Sequence, residues 1–323
     1  MGGCKLKLKS FNKAIIFAIA LILLLSGCSN EKSIEESTGK LKVYASFYPI
    51  YFAAEQIGGE KIELYTVIPN GAEPHDYEPS LREIADVENA DVFIFNGVNM
   101  EPWAEKLSDN LVSKGIRTIN LSQYVELIKA DEDEESEDEH NEHTDHSHGT
   151  YDPHIWLDPI NMNKMAYQIM TVFSELDSEN EDFYKRNYED FASKIRELDQ
   201  AFNSQLKNRN RDTILVSHKA FGYLAKRYGL EQTPVTGITP YEEPSPKTLA
   251  KLIDKIKEEQ FEYIFLESLA SPKVVETLAK SGNLKILELN PVAGLTEEQQ
   301  KNNENYFTLM EKNLENLKKA LVK

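Results

Sequence analysis

The seven histidines of this chain are placed where they could hold metal. His75, His154 and His218 each lie in a short stretch flanked by proline or serine, while His140, His143, His146 and His148 crowd one acidic segment. Imidazole is the commonest side-chain metal ligand, and a chain with no histidine elsewhere points to metal handling. A single loop histidine is more often a surface or hydrogen-bonded residue, so the joint context of the three isolated ones carries the reading. Their long spacing is incompatible with a local finger, and no His-Glu-x-x-His helix suggests a metalloprotease.

The surrounding residues define the elements that must position these side chains. His75 lies in Gly71-Ala72-Glu73-Pro74-His75-Asp76-Tyr77-Glu78-Pro79-Ser80, a stiff loop after one apolar run and before a helix that Ser80 and Glu83 open as a capping box. His154 lies in Asp152-Pro153-His154-Ile155-Trp156-Leu157-Asp158-Pro159, where Asp158 can cap and Pro159 can start the next helix. His218 follows the Ile214–Val216 run at the start of a helix that Gly229 ends. His75 and His218 thus map to carboxyl ends of strands, where open α/β sheets bind ligands.

Runs at 41–47, 63–68, 91–96 and 117–121 read as strands of a largely parallel sheet, because they are nearly continuous in apolar residues rather than alternating. A second set at 213–217, 233–236, 263–267 and 285–289 repeats the pattern, with helices between, which is α/β grammar. Between the two sets, Tyr184, Tyr188, Phe191, Ile195, Leu198, Phe202 and Leu206 recur at spacings of three and four. That stripe predicts one helix of about 30 residues, roughly 45 Å long, able to brace two lobes. The expected fold is therefore two lobes, each a largely parallel sheet flanked by helices, joined by a long backbone helix. The divisions are 41–176 for the first lobe, 177–210 for the linking helix and 211–323 for the second lobe.

Asp131–Gly149 holds ten acidic residues, four histidines and no large apolar residue. Such a run cannot bury enough apolar surface to offset its ordering entropy, so a disordered loop is expected. Its imidazoles and carboxylates would make weak, exchanging metal sites at His140, His143, His146 and His148. A solvated insertion without consequence is the alternative.

Lys5, Lys7, Lys9 and Lys13 precede an apolar run from Ala14 to Leu25 and then Ser26-Gly27-Cys28. This is the pattern of a secretory signal over residues 1–27, its apolar core too short to span a bilayer as a helix. Residues 28–40 then read as a polar tether. Only two cysteines occur, Cys4 inside the signal, so no intramolecular disulfide and no closed thiolate zinc site is expected in the mature domain. Removing residues 1–27 takes away four lysines and no acid, which lowers the formal net charge from −18 to −22. Nucleic acid is therefore excluded as a partner, and a cation is admissible by sign, although a solubilising surface explains the acidity equally well.

Together these pieces resemble the zinc-specific solute-binding lipoproteins of bacterial ABC importers, a cluster that also contains manganese-binding members. The likeness rests on Leu25-Ser26-Gly27-Cys28, Glu73-Pro74-His75-Asp76-Tyr77-Glu78-Pro79-Ser80, the acidic histidine-rich segment, Asp152–Pro159, Ser217-His218-Lys219-Ala220-Phe221 and Pro244-Ser245-Pro246-Lys247, and it covers the mature chain. It implies lipidation of Cys28 and an extracytoplasmic, membrane-anchored monomer. It also implies high-affinity Zn²⁺ capture in a cleft by His75, His154 and His218, and delivery to an ABC permease with its ATPase. Manganese relatives tend to carry a carboxylate at the position of His218, and nitrogen-rich tetrahedral sites suit zinc.

The chain departs from the pattern at the fourth ligand. Some relatives supply a carboxylate where this chain has Ala293, and others a Glu immediately before the first histidine, where it has Pro74. Water is the expected fourth ligand, with Glu267 a lesser candidate. The alternatives are a manganese-binding homologue with an adhesin role and a three-histidine zinc hydrolase, for which no general base is identifiable.

Overall fold

The computed structural model describes residues 39–130, 151–238, 240, 244–268 and 272–322. The signal, Cys28, most of the tether and the histidine-rich insertion fall outside the described residues. Eight short segments of the described residues form the strands: β1 (Leu41–Ala45), β2 (Ile62–Thr66), β3 (Val92–Phe95), β4 (Arg117–Asn120), β5 (Thr213–His218), β6 (Glu231–Thr236), β7 (Tyr263–Leu266) and β8 (Lys285–Glu288). They pair, always in parallel, into two four-stranded sheets ordered β2-β1-β3-β4 and β6-β5-β7-β8.

The helices between them are α1 (Tyr48–Gly58), α2 (Leu81–Val87), α3 (Pro102–Ser113), α4 (Pro159–Leu176), α5 (Glu181–Gln205), α6 (Gly222–Tyr228), α7 (Pro246–Glu258), α8 (Lys273–Gly282), α9 (Glu297–Lys301) and α10 (Tyr306–Leu321). Local chemistry fixes their starts. Ser80 and Glu83 complete the capping box of α2, Asp158 accepts from the Ile160 amide ahead of α4, and Ser245 accepts from the Thr248 amide ahead of α7. Gly229, with φ at 66°, adopts the left-handed conformation that ends α6.

Both sheets have the same winding, so each reverses its strand order between its two central strands. These reversal points, β1 beside β3 and β5 beside β7, are where such sheets open a crevice at their carboxyl ends. A buried serine–glutamate pair stands at each: Ser46 donates to Glu101 after β1, and Ser217 donates to Glu267 at the end of β5.

Apolar faces account for the layering. Val87, Phe93, Phe95, Leu107 and Leu111 fill one side of the first sheet, and Leu215, Val235, Ile256, Ile264 and Leu278 one side of the second. The main core runs through both lobes. Tyr184, Phe191, Ile195, Leu198 and Phe202 of α5 are buried in it, so the aromatic stripe is packing. Tyr306 and Phe307 of α10 come back against Phe52 of α1, so the carboxyl-terminal helix packs on the first lobe.

The linking helix is shorter than the periodicity predicts, 25 residues or about 37 Å. The Asp177 carboxylate accepts from both Asn180 Nδ2 and Tyr184 OH and closes Ser178–Asn180 as a separate 3₁₀ turn. The apolar stripe from Tyr184 to Phe202 falls on the observed helix, and the overshoot lies in the flanking residues 177–180 and 206–210, which carry no part of the stripe beyond Leu206.

Candidate metal centre

Two loops and the end of a strand deliver the three isolated histidines to one point. After β2 the backbone stays paired with the exit of β1 through Val67 and Ile68, then turns through Pro69 to Ser80. Tyr77 donates to Glu83 at 2.7 Å and ties this loop, with His75 on it, to α2. His154 precedes the 3₁₀ turn Ile155–Leu157, and the carbonyl before it, that of Pro153, accepts from Asn96 Nδ2 at 2.9 Å. His218 is the last residue of β5, not the first of a helix, because it still pairs with Thr236 of β6 and α6 begins only at Gly222.

The three Nε2 atoms converge. His154 Nε2 lies 3.2 Å from His75 Nε2 and 3.3 Å from His218 Nε2, and one ligand atom from each residue fits within 4.8 Å of the others. Nitrogens bound to zinc at 2.0–2.1 Å with tetrahedral angles stand about 3.3 Å apart, so the spacing matches the edge of a zinc tetrahedron.

The opposite ring nitrogens decide which proton sits where. His154 Nδ1 donates to Asp152 Oδ1 at 2.8 Å, and the same oxygen accepts from the His154 amide at 2.9 Å. His218 Nδ1 donates to Glu267 Oε1, which also takes the Ser217 hydroxyl. With both Nδ1 protons so engaged, the neutral rings of His154 and His218 turn the lone pairs of their Nε2 atoms toward each other, and these repel unless a cation stands between them. A single proton can serve one pair; a divalent ion can serve all three nitrogens. This carboxylate–histidine arrangement is also the usual outer support of a metal ligand.

Electrostatics agree with that reading. Burial, then His154 and His218, hold the His75 imidazole well below its usual range. Burial lowers His154 too, against the pull of Asp152. For His218, burial is the largest influence and lowers the pKa, but Glu267, Glu73 and Asp152 together leave it raised. Burial pushes Glu73 up to about 7, with His218 pulling the other way. The centre is therefore a pocket of mostly neutral imidazoles ringed by carboxylates, which favours a divalent cation over several protons.

Asp152 is a supporting residue that the sequence reading quotes only as part of a motif; its position two before His154 is the local signal. Glu267 serves as a hydrogen-bond acceptor for His218 here. Ala293 is buried in the 289–295 loop, which packs on the site through Trp156: Trp156 Nε1 donates to the Pro291 carbonyl at 2.7 Å, and the Trp156 ring lies 5.5 Å from that of His154. The same loop touches the first lobe where the Leu295 amide donates to Asn70 Oδ1 at 3.3 Å. His140, His143, His146 and His148 lie outside the described residues.

Residues 43–320 match the family model of the zinc-uptake complex component A, periplasmic. The chain belongs to the ZnuA family. It is 37% identical over 309 residues to the high-affinity zinc uptake system protein ZnuA of Bacillus subtilis, covering 95% of this chain and 96% of that protein. It is 35% identical over 307 residues to the zinc-binding lipoprotein AdcA of Streptococcus pneumoniae, covering 95% of this chain but 60% of that longer relative. The Zn(II)-bound ZnuA-like domain of pneumococcal AdcA superposes with a TM-score of 0.76 at 34% identity, over 88% of this chain and 100% of that domain. The laminin-binding protein Lmb of Streptococcus agalactiae, described as bifunctional with adhesin and metal transporting activity, gives a TM-score of 0.75 at 28% identity, over 87% of this chain and 99% of that one. The family is one of extracytoplasmic uptake components rather than of enzymes, which sets the hydrolase alternative aside.

Proposed function

We propose that this protein captures Zn²⁺ outside the cytoplasm with His75, His154 and His218 and hands it to an ABC permease driven by its ATPase. The observation that carries the proposal is the approach of His75 and His218 Nε2 to His154 Nε2 at 3.2 and 3.3 Å, the edge of a zinc tetrahedron, with His154 and His218 held by carboxylates on Nδ1. In this reading residues 1–27 are a signal, Cys28 carries the lipid that holds the protein at the membrane, and the body is a monomer. The lobes divide at 41–176 and 211–323, with 177–210 between them. Water completes the coordination, since Ala293 offers no donor.

Metal analysis of the mature protein, followed by competition, tests this. One tight Zn²⁺ per chain is expected, displaced by Mn²⁺ only at large excess because three imidazoles suit zinc better than manganese. Tight binding should also raise the melting temperature, by about 4 kcal/mol of added stability at a thousandfold excess over Kd. A chain that prefers Mn²⁺ would overturn the assignment of cargo.

Deleting 131–149 should remove weak additional zinc equivalents and leave the tight site in place. The two ends of the insertion are held together independently of what lies between: Lys129 and Tyr151 form an antiparallel bridge, and the Asp152 amide donates to the Ile128 carbonyl at 2.9 Å. Titration with a zinc indicator checks this. Loss of the tight site on deletion would mean that the insertion supplies a primary ligand.

A further inference from the structure

Only Lys219, Ala220 and Phe221 separate His218 from helix α6, and α6, like the 289–295 loop, reaches from the second lobe to the loop carrying His154. Tyr223, buried on α6, donates to the Asp152 carbonyl at 2.9 Å and accepts from the Ile128 amide at 3.1 Å. Gly222 lies so close to Asp152 that a Cβ there would stand 2.3 Å from Oδ2. One turn further, Arg227 reaches Asp199 of α5 at 2.6 Å and Asp158, the cap of α4, at 3.3 Å. Tyr228 stacks on Phe202 and donates to Asp199.

Tyr223 differs from its neighbours in what it holds. Its hydroxyl makes one hydrogen bond as donor and one as acceptor, both to first-lobe backbone. Asp152 is the residue whose Oδ1 fixes the His154 ring. Ile128 and Asp152 also pair with each other at the base of the insertion. The hydroxyl therefore clamps the stem from which Asp152, and through it His154, is presented. Separating the lobes must break both of its bonds and withdraw Gly222 from Asp152 Oδ2. Because His218 ends β5 of the same lobe, three residues before α6, the same movement carries His218 away from His154.

We propose that Tyr223 is the positioning residue through which lobe closure sets the metal centre. Docking of α6 seats Asp152, Asp152 holds His154 Nδ1, and His154 Nε2 is then aimed at the ion. Release of cargo follows from undocking: one movement removes the His218 ligand and loosens the support of His154. This rests on the proposal that the three histidines bind Zn²⁺.

The test compares wild type with Tyr223→Phe, which removes one hydroxyl and keeps the ring, and with Tyr228→Phe, which removes a hydroxyl of the same helix that does not touch Asp152. Binding stoichiometry is measured with Zn²⁺, the ligand field with Co²⁺ absorption, and the release rate with excess chelator. Tyr223→Phe should keep one ion per chain and the wild-type Co²⁺ spectrum, because no ligand is lost, yet release Zn²⁺ roughly thirtyfold faster, as expected for the loss of both hydrogen bonds of the hydroxyl. Tyr228→Phe should release at the wild-type rate. Gly222→Ala, whose methyl displaces Asp152 directly, should release faster still. Equal rates for wild type and Tyr223→Phe, or equal acceleration in both tyrosine variants, would overturn the positioning role. Failure of the wild type to bind any Zn²⁺ would instead remove the metal-site proposal on which it stands.

Discussion

Replacing His154 by alanine should abolish tight zinc binding, with His75→Ala and His218→Ala close behind. His154 stands between the other two, 3.2 and 3.3 Å from them through Nε2, so its loss leaves two nitrogens that no longer share a common neighbour. Outer-shell partners alone typically change metal affinity by about 10- to 100-fold, so loss of a direct ligand should exceed about a hundredfold. The substitution also leaves the Asp152 carboxylate without its Nδ1–H donor in a buried setting, which adds a stability cost of about 1–3 kcal/mol that His75→Ala, at a partly buried loop, should not share. Calorimetric titration gives the affinities, circular dichroism shows that the fold persists, and the zinc-dependent rise in melting temperature should vanish. Wild-type affinity in all three variants would refute the site.

The parts legible in the sequence are those written locally. All eight strands lie within two residues of the expected bounds, because continuous apolar runs such as Val92–Phe95 have no other way to be buried on both faces. The capping box at Ser80 and Glu83 and the Asp158–Pro159 start are local hydrogen-bond chemistry and appear as expected. What the sequence does not display is pairing at a distance. Glu267 can be singled out from its place at a strand end, but its partner His218, 49 positions away, cannot, and nothing in the flanking residues marks the meeting of Tyr223 with Ile128 across 95 positions. The carboxylates around the centre look, in the sequence, like any others in an acidic chain.

Among those carboxylates, Glu101 should govern how stability varies with pH. It is fully buried at the exit of the first sheet, where its oxygens accept from the Ser46 hydroxyl, the Asn96 amide at 2.9 Å and the Gly97 amide at 3.3 Å. Burial nevertheless dominates and pushes its pKa up to about 7. An unfolded glutamate releases its proton near pH 4.3–4.5, so between that value and about 7 the folded state holds a proton that the unfolded state has lost. Stability therefore falls as pH rises through this window, by about 1.4 kcal/mol per pH unit and about 3 kcal/mol in all. In Glu101→Gln the group cannot ionise, so that portion of the slope should be missing. Comparing the two proteins free of metal, at the same pH values, cancels the contributions of Glu73 and the histidines, which are common to both. Urea unfolding from pH 4.5 to 8 gives the slopes directly, and parallel curves would show that Glu101 titrates as it does in the unfolded chain. Because Asn96, whose amide Glu101 accepts, also holds the Pro153 carbonyl next to His154, the same acid braces the first-lobe side of the metal centre.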